Sequence, residues 1–75
     1  MLHHPDDTKW IKSQLSKLPT AHKQKAMAGY DRVFREVFDA TPLPHQKAGE
    51  ARREANTRLR RYVEAVTKKP RTQAG

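Results

Sequence analysis

Three apolar stripes at helical spacing, prolines between them and no alternating strand pattern predict an all-α fold. The expected architecture is a small three-helix bundle with a long basic C-terminal helix and disordered termini. Helices are expected over about 6–18, 21–40 and 45–68, within a helical domain spanning 6–68. Residues 1–5 read as a flexible N-terminus and 69–75 as a basic flexible tail.

The first helix starts at Asp6 or Asp7, whose short carboxylate can accept from unpaired backbone N–H groups. Ile11, Leu15 and Leu18 line one face with Trp10 at its edge, and Pro19 ends the element by disfavouring helical geometry at Leu18. Thr20 is a candidate cap for the second helix. Its stripe is Ala26, Met27, Tyr30, Val33, Phe34, Val37 and Phe38, the most apolar part of the chain. Gly29 is placed towards the back of that helix, where it costs up to about 1 kcal/mol relative to Ala. Thr41-Pro42-Leu43-Pro44 cannot continue a helix, because two prolines remove donors and fix the backbone. The third helix, roughly 36 Å long at 1.5 Å per residue, carries small Ala48, Ala51 and Ala55, then larger Leu59, Tyr62, Val63 and Val66. Its small half admits close approach of another helix, from this chain or from a partner. Pro70 stops it.

Seventy-five residues make one domain with no room for a separate catalytic module. Such a chain buries roughly 60–65% of its unfolded surface and is only modestly stable. There are no cysteines, so disulfides and thiolate metal sites are excluded and a reducing cytoplasm fits. No apolar run approaches the roughly 20 residues of a membrane span, and Met1 to Pro5 lacks the pattern of a secretory signal. A cytoplasmic location, with no membrane partner, is the expectation.

Charge is unevenly spread. Residues 45–75 hold nine of the sixteen Lys and Arg and three of the eight acids, a net +6 of the chain's +8. On a wheel of the third helix, Arg52 and Arg58 flank the apolar stripe, while Arg53, Arg60 and Arg61 lie towards the back. Glu50, Glu54 and Glu64 share that back face. Glu54–Arg58, Arg60–Glu64 and Glu64–Lys68 are each four apart, where opposite charges pair. One reading is therefore a solvated helix laced with weak ion pairs. Three acids cannot neutralise Lys47, Arg52, Arg53, Arg58, Arg60 and Arg61, however, and Lys68, Lys69 and Arg71 extend the surplus. Arginine's planar fork suits phosphate or carboxylate. Asn56, Thr57 and Gln46 offer further hydrogen bonds to a nucleic acid. Lys9, Lys12, Lys17, Lys23 and Lys25 make the N-terminal third basic as well, and whether they share a face with the arginines depends on packing.

No catalytic residue is assigned. Ser13 and Ser16 lack a glycine-rich turn and a suitably spaced histidine. No phosphate-cradling glycine loop is present, and neither a cofactor nor a small-molecule substrate is expected. His3 with a free amino terminus can chelate Cu(II) or Ni(II), but a frayed end with two solvated histidines is the preferred reading, and no metal site is assigned. His22 and His45 lack zinc-site spacing. Tyr30, Phe34, Phe38 and Tyr62 read as core rather than base-stacking platforms, with Trp10 the candidate interface anchor. The proline-rich bend is unlike a helix-turn-helix turn, and acids among the cations suit backbone contact better than base reading.

The pattern Trp10…Leu18-Pro19…Tyr30…Phe34, followed by Ala51-Arg52-Arg53-Glu54-Ala55-Asn56-Thr57-Arg58-Leu59-Arg60, resembles small uncharacterised basic proteins encoded by temperate phages and prophages of enteric bacteria. The resemblance covers about residues 5–65. It implies a bacterial cytoplasm and an accessory role against host replication, repair, transcription or defence, and it assigns no residue a role.

The leading expectation is a non-enzymatic accessory protein that binds a DNA or RNA backbone, or a nucleoprotein complex. Its contacts would be Arg52, Arg53, Arg58, Arg60 and Arg61, with Lys68, Lys69 and Arg71 as an electrostatic arm. The alternative is an inhibitor or adaptor whose arginines meet an acidic surface on a host nucleic-acid-handling enzyme, with Trp10, Ala48, Ala51 and Ala55 as its protein interface. A homodimer built on the same alanine seam is a third possibility.

Overall fold

The computed structural model describes residues 2–68, and among these there are three α-helices and no strand. A 3₁₀ turn, Pro5–Asp7, leads into α1 (Thr8–Ser16), followed by α2 (Thr20–Ala40) and α3 (Pro44–Thr67). Lys69, Arg71 and the tail expected over 69–75 lie outside the described residues.

Each boundary has a local cause. Asp7 occupies the N-cap position of α1 but makes no side-chain cap bond, because its carboxylate is turned towards α3. The preceding 3₁₀ turn is capped instead by His4, whose Nδ1 accepts from the Asp6 N–H at 3.1 Å. The Leu2 N–H also donates to Asp31 Oδ1 at 2.8 Å, which lays the leading residues beside α2. α1 stops at Ser16, two residues short of the expected end. Lys17 and Leu18 close the last turn with short-range bonds to Gln14 and Leu15 before Pro19 imposes extended backbone.

Pro19 itself is the N-cap of α2, and Thr20 is its first helical residue with no side-chain cap. In α3, Pro44 occupies the first turn, where a missing N–H costs nothing, so the helix begins at the proline expected to precede it. Thr41 to Leu43 alone make the reversal. Lys47 then secures it. Its Nζ donates to the Phe38 and Thr41 carbonyls at 3.0 and 2.7 Å and stands 5.5 Å from the Phe38 ring centroid. A cation at the carbonyl end of α2 satisfies the acceptors that a helix C-terminus leaves over.

The core joins Ile11 and Leu18 from the N-terminal segment, Ala26, Tyr30, Val33 and Phe34 from α2, and Ala51, Ala55, Leu59 and Val63 from α3. Trp10, Leu15, Val37, Tyr62 and Val66 pack partly buried against it. Ala51 and Ala55 are wholly buried, so the small half of α3 receives helices of this chain and offers no seam to a partner. Ala48, the third residue of that expected seam, is exposed. Phe38 also departs from expectation. It is 38% exposed, at the end of a stacked Tyr30–Phe34–Phe38 row with centroids 6.3 and 6.2 Å apart.

Candidate functional site

α2 and α3 pair along their length, and the two flanks of that pair are finished differently. Residues three, four and seven apart share a helical face, which assigns each cation of α3 to a flank.

Arg52 and Asn56 lie on the flank that α1 covers. Arg52 grips Asp7 with a two-pronged fork, Nε to Oδ2 at 3.0 Å and Nη2 to Oδ1 at 2.8 Å. Asn56 Nδ2 donates to Asp7 Oδ2 at 3.2 Å, while its Oδ1 accepts a short bond from the Tyr30 hydroxyl. Asp7 is only 8% exposed, so this network is how a buried carboxylate is tolerated. The Arg52 fork holds the Asp7 carboxyl below its ordinary value, outweighing the opposing push of burial, and the Asn56 amide helps. Burial pushes the Tyr30 phenol up to about 12, with the nearby Asp7 charge adding to it. Arg52, expected to contact a polyanion, is thus committed to holding α1, and so is Asn56.

The other cations expected to act as one surface are also divided. Lys47 caps α2. Arg53 pairs with Glu50, and Thr57 donates its hydroxyl to the Arg53 carbonyl at 2.8 Å, spending its side chain within the helix. Arg53 and Arg60, seven apart, face solvent on the back of α3. Of the three ion pairs expected from spacing, Glu54–Arg58 forms at 2.9 Å. Arg60–Glu64 and Glu64–Lys68 do not form among the described residues. These are exposed side chains, where an ion pair gains little over separate hydration.

On the flank away from α1, α2 and α3 leave a groove of about 220 Å³. Lys25, Gly29 and Arg32 line it from α2, and Arg58, Leu59 and Tyr62 from α3. Its floor is apolar, supplied by Ala26, Val33 and Leu59, and its rim is cationic. Lys25 and Arg32 have no ion pair among the described residues, and Glu54 engages Arg58 through Nε. Tyr62 is steadied by His22, whose Nδ1 lies 2.8 Å from the Tyr62 hydroxyl, with the two rings tilted by 56°. A separate hollow lies on α3 alone, where Arg61 and Lys68 flank Glu64. Arg58, Arg61, Ala65 and Lys68 follow one another three or four apart and form one row.

Arg58 is therefore brought to the groove, with Lys25 joining it from the lysine-rich N-terminal third, while Arg61 and Lys68 lie on the outer side of α3. Arg32 was not singled out by the sequence, since on α2 alone it is one polar residue on an outer face. Gly29 lies on this flank, not at the back of α2.

A separate apolar surface lies on α2 beside the N-terminal segment. Leu2, Met27 and Phe38 are 43%, 41% and 38% exposed, and Leu2 borders hollows shared with Met27 and with Phe38. Trp10, the expected interface anchor, is half-buried against the core. No helix among the described residues is long and apolar enough to cross a membrane, and no cluster of His, Cys, Asp or Glu among them is arranged to hold a metal ion. No protein-family model, curated protein or solved structure matches the chain.

Proposed function

We propose that this protein binds the phosphate backbone of a nucleic acid through the open flank of the α2–α3 pair. Lys25, Arg32 and Arg58 are the contacting cations at the groove, and Arg61 and Lys68 extend the contact from the outer side of α3. The observation that carries this reading is the convergence of Lys25, Arg32 and Arg58, from two helices, on one groove, with Lys25 and Arg32 unpaired among the described residues. Charges already balanced inside the chain, as at Arg52, have little to offer a phosphate. Charges left unpaired on a shared face release counterions when a polyanion neutralises them.

Anisotropy of a fluorescent DNA, titrated with protein between 50 and 200 mM salt, tests the reading. Affinity should fall with a logarithmic slope of about −4 for about five phosphate contacts. Joint reversal of Lys25, Arg32 and Arg58 to Glu should remove most of the affinity. Reversal of Arg53 and Arg60, on the back of α3, should leave most of it. Affinity indifferent to salt, or retained by the triple reversal, would overturn the proposal.

The exposed Leu2, Met27 and Phe38 surface favours a second reading, docking on a partner protein. A partner retained from nuclease-treated bacterial lysate, and lost when Met27 and Phe38 become Ser, would support it over direct nucleic-acid binding.

A further inference from the structure

The groove has a feature that phosphate contact alone does not require. Gly29 sits inside a 21-residue helix with ordinary helical backbone, where glycine is the costliest residue other than proline. Nothing in this chain asks for it, since a Cβ built there would meet no atom within 4 Å. The missing side chain leaves room on the floor of the groove and exposes the α2 backbone between Lys25 and Arg32. Across that space stands the Tyr62 ring, held by His22.

An apolar floor, an aromatic wall and a cationic rim suit a ligand with a flat body and negative charge on either side of it. At about 220 Å³ the space is below the roughly 300–1,000 Å³ that encloses a whole drug-sized ligand, so one ring system fills it. Resting on the proposed backbone binding, we infer that the groove seats an unstacked base of a single-stranded nucleic acid against Gly29 and Tyr62, with the flanking phosphates on Lys25, Arg32 and Arg58. A duplex cannot use this floor, because its bases are stacked and paired while its phosphates lie outside. A single strand can turn one base inward at little cost. Base–aromatic stacking is sequence-tolerant, so preference for single strands is expected without strong preference among bases.

The test compares a fluorescent oligothymidylate, an abasic strand of equal length and a hairpin duplex, each titrated by anisotropy with the full chain and with Gly29→Leu. A Cβ at this position meets no atom within 4 Å and leucine raises helix propensity, so the variant should melt no lower than the parent. The parent should bind oligothymidylate about tenfold or more tighter than the abasic strand. Gly29→Leu should erase that difference, bringing oligothymidylate down to the affinity of the abasic strand measured with the same variant. Equal affinity of the parent for oligothymidylate and abasic strand, or a difference that survives in Gly29→Leu, would overturn base seating while leaving backbone binding standing. Failure of all three nucleic acids to bind at low salt would overturn both.

Discussion

Arg52 and Arg58 stand on opposite shoulders of the same apolar stripe, and their partners set them apart. Arg52 closes both prongs on a carboxylate that is 8% exposed and locks α1 against α3. Arg58 meets Glu54 one turn away, with its side chain 60% exposed at the rim of an open groove. On the covered flank the polar groups of one network serve each other: Asp7 accepts from Arg52 and Asn56, and Asn56 accepts from Tyr30. On the open flank Lys25 and Arg32 have none among the described residues. Arginines six positions apart on one helix thus divide between architecture and surface, and net charge alone overstates what a partner can reach.

The sharpest way to break this contrast is at Asp7. Asp7→Ala should cost about 1–2 kcal/mol, as expected for a hydrogen-bonded pair that water partly screens. A melting curve should show this as a fall of roughly 4–8 °C per kcal/mol, with nucleic-acid affinity unchanged. The same pair sets an acid limit. The folded carboxyl titrates below its unfolded value near 3.8, so its contribution is complete above that pH and is lost as pH falls through the lower, folded value. Urea melts from pH 6 down to pH 2 should show this loss in the parent and not in Asp7→Asn. A parent whose acid sensitivity matched that of the variant would remove Asp7 from the architecture.

A smaller effect is expected at Tyr62, where the two flanks' roles overlap. Tyr62→Phe removes the bond to His22 but keeps the ring, so it should cost about 0.5–1.5 kcal/mol in chemical denaturation. Strand affinity should change little beyond any loosening of the ring. A large loss of affinity at unchanged stability would assign the hydroxyl, and not the ring face, to the ligand.

The smallest effect separates the two helical glycines. Gly49, like Gly29, has nothing within 4 Å of a built Cβ, but it lies exposed near the start of α3 and is not part of the α2–α3 groove. Gly49→Ala should therefore raise stability by about 0.4–1 kcal/mol and leave affinity untouched. An affinity change there would dissolve the distinction between a glycine that opens a site and one that does not.

The helices were legible because their stripes are local: Ile11, Tyr30, Phe34, Ala55 and Leu59 lie where a 3.6-residue period puts the core. Pro19 and Pro42 announced the breaks, while Pro44 misled by one residue because a proline can begin a helix as readily as it ends one. The flanks of Arg52 and Arg58 were visible on a wheel, but their fates were not. Arg52 is claimed by a residue 45 positions earlier, a pairing that no spacing rule contains. The groove was hidden for the same reason. It exists only where α2 meets α3, so Arg32 and Gly29 gained meaning from residues of another helix.

The Asp7–Arg52 clasp also has a consequence in time. The α2–α3 reversal begins from contacts close in sequence, such as Lys47 with Phe38, nine residues apart. The clasp joins residues 45 and 49 apart, and its loop must close before any reward arrives. The hairpin therefore makes a natural nucleus and α1 a late addition, with φ-values near zero expected at Ile11 and higher ones at Leu59. During synthesis the order is reversed. α1 leaves the ribosome before its partners on α3 have been made, so the helix made first must wait until Arg52 and Asn56 emerge before it can dock.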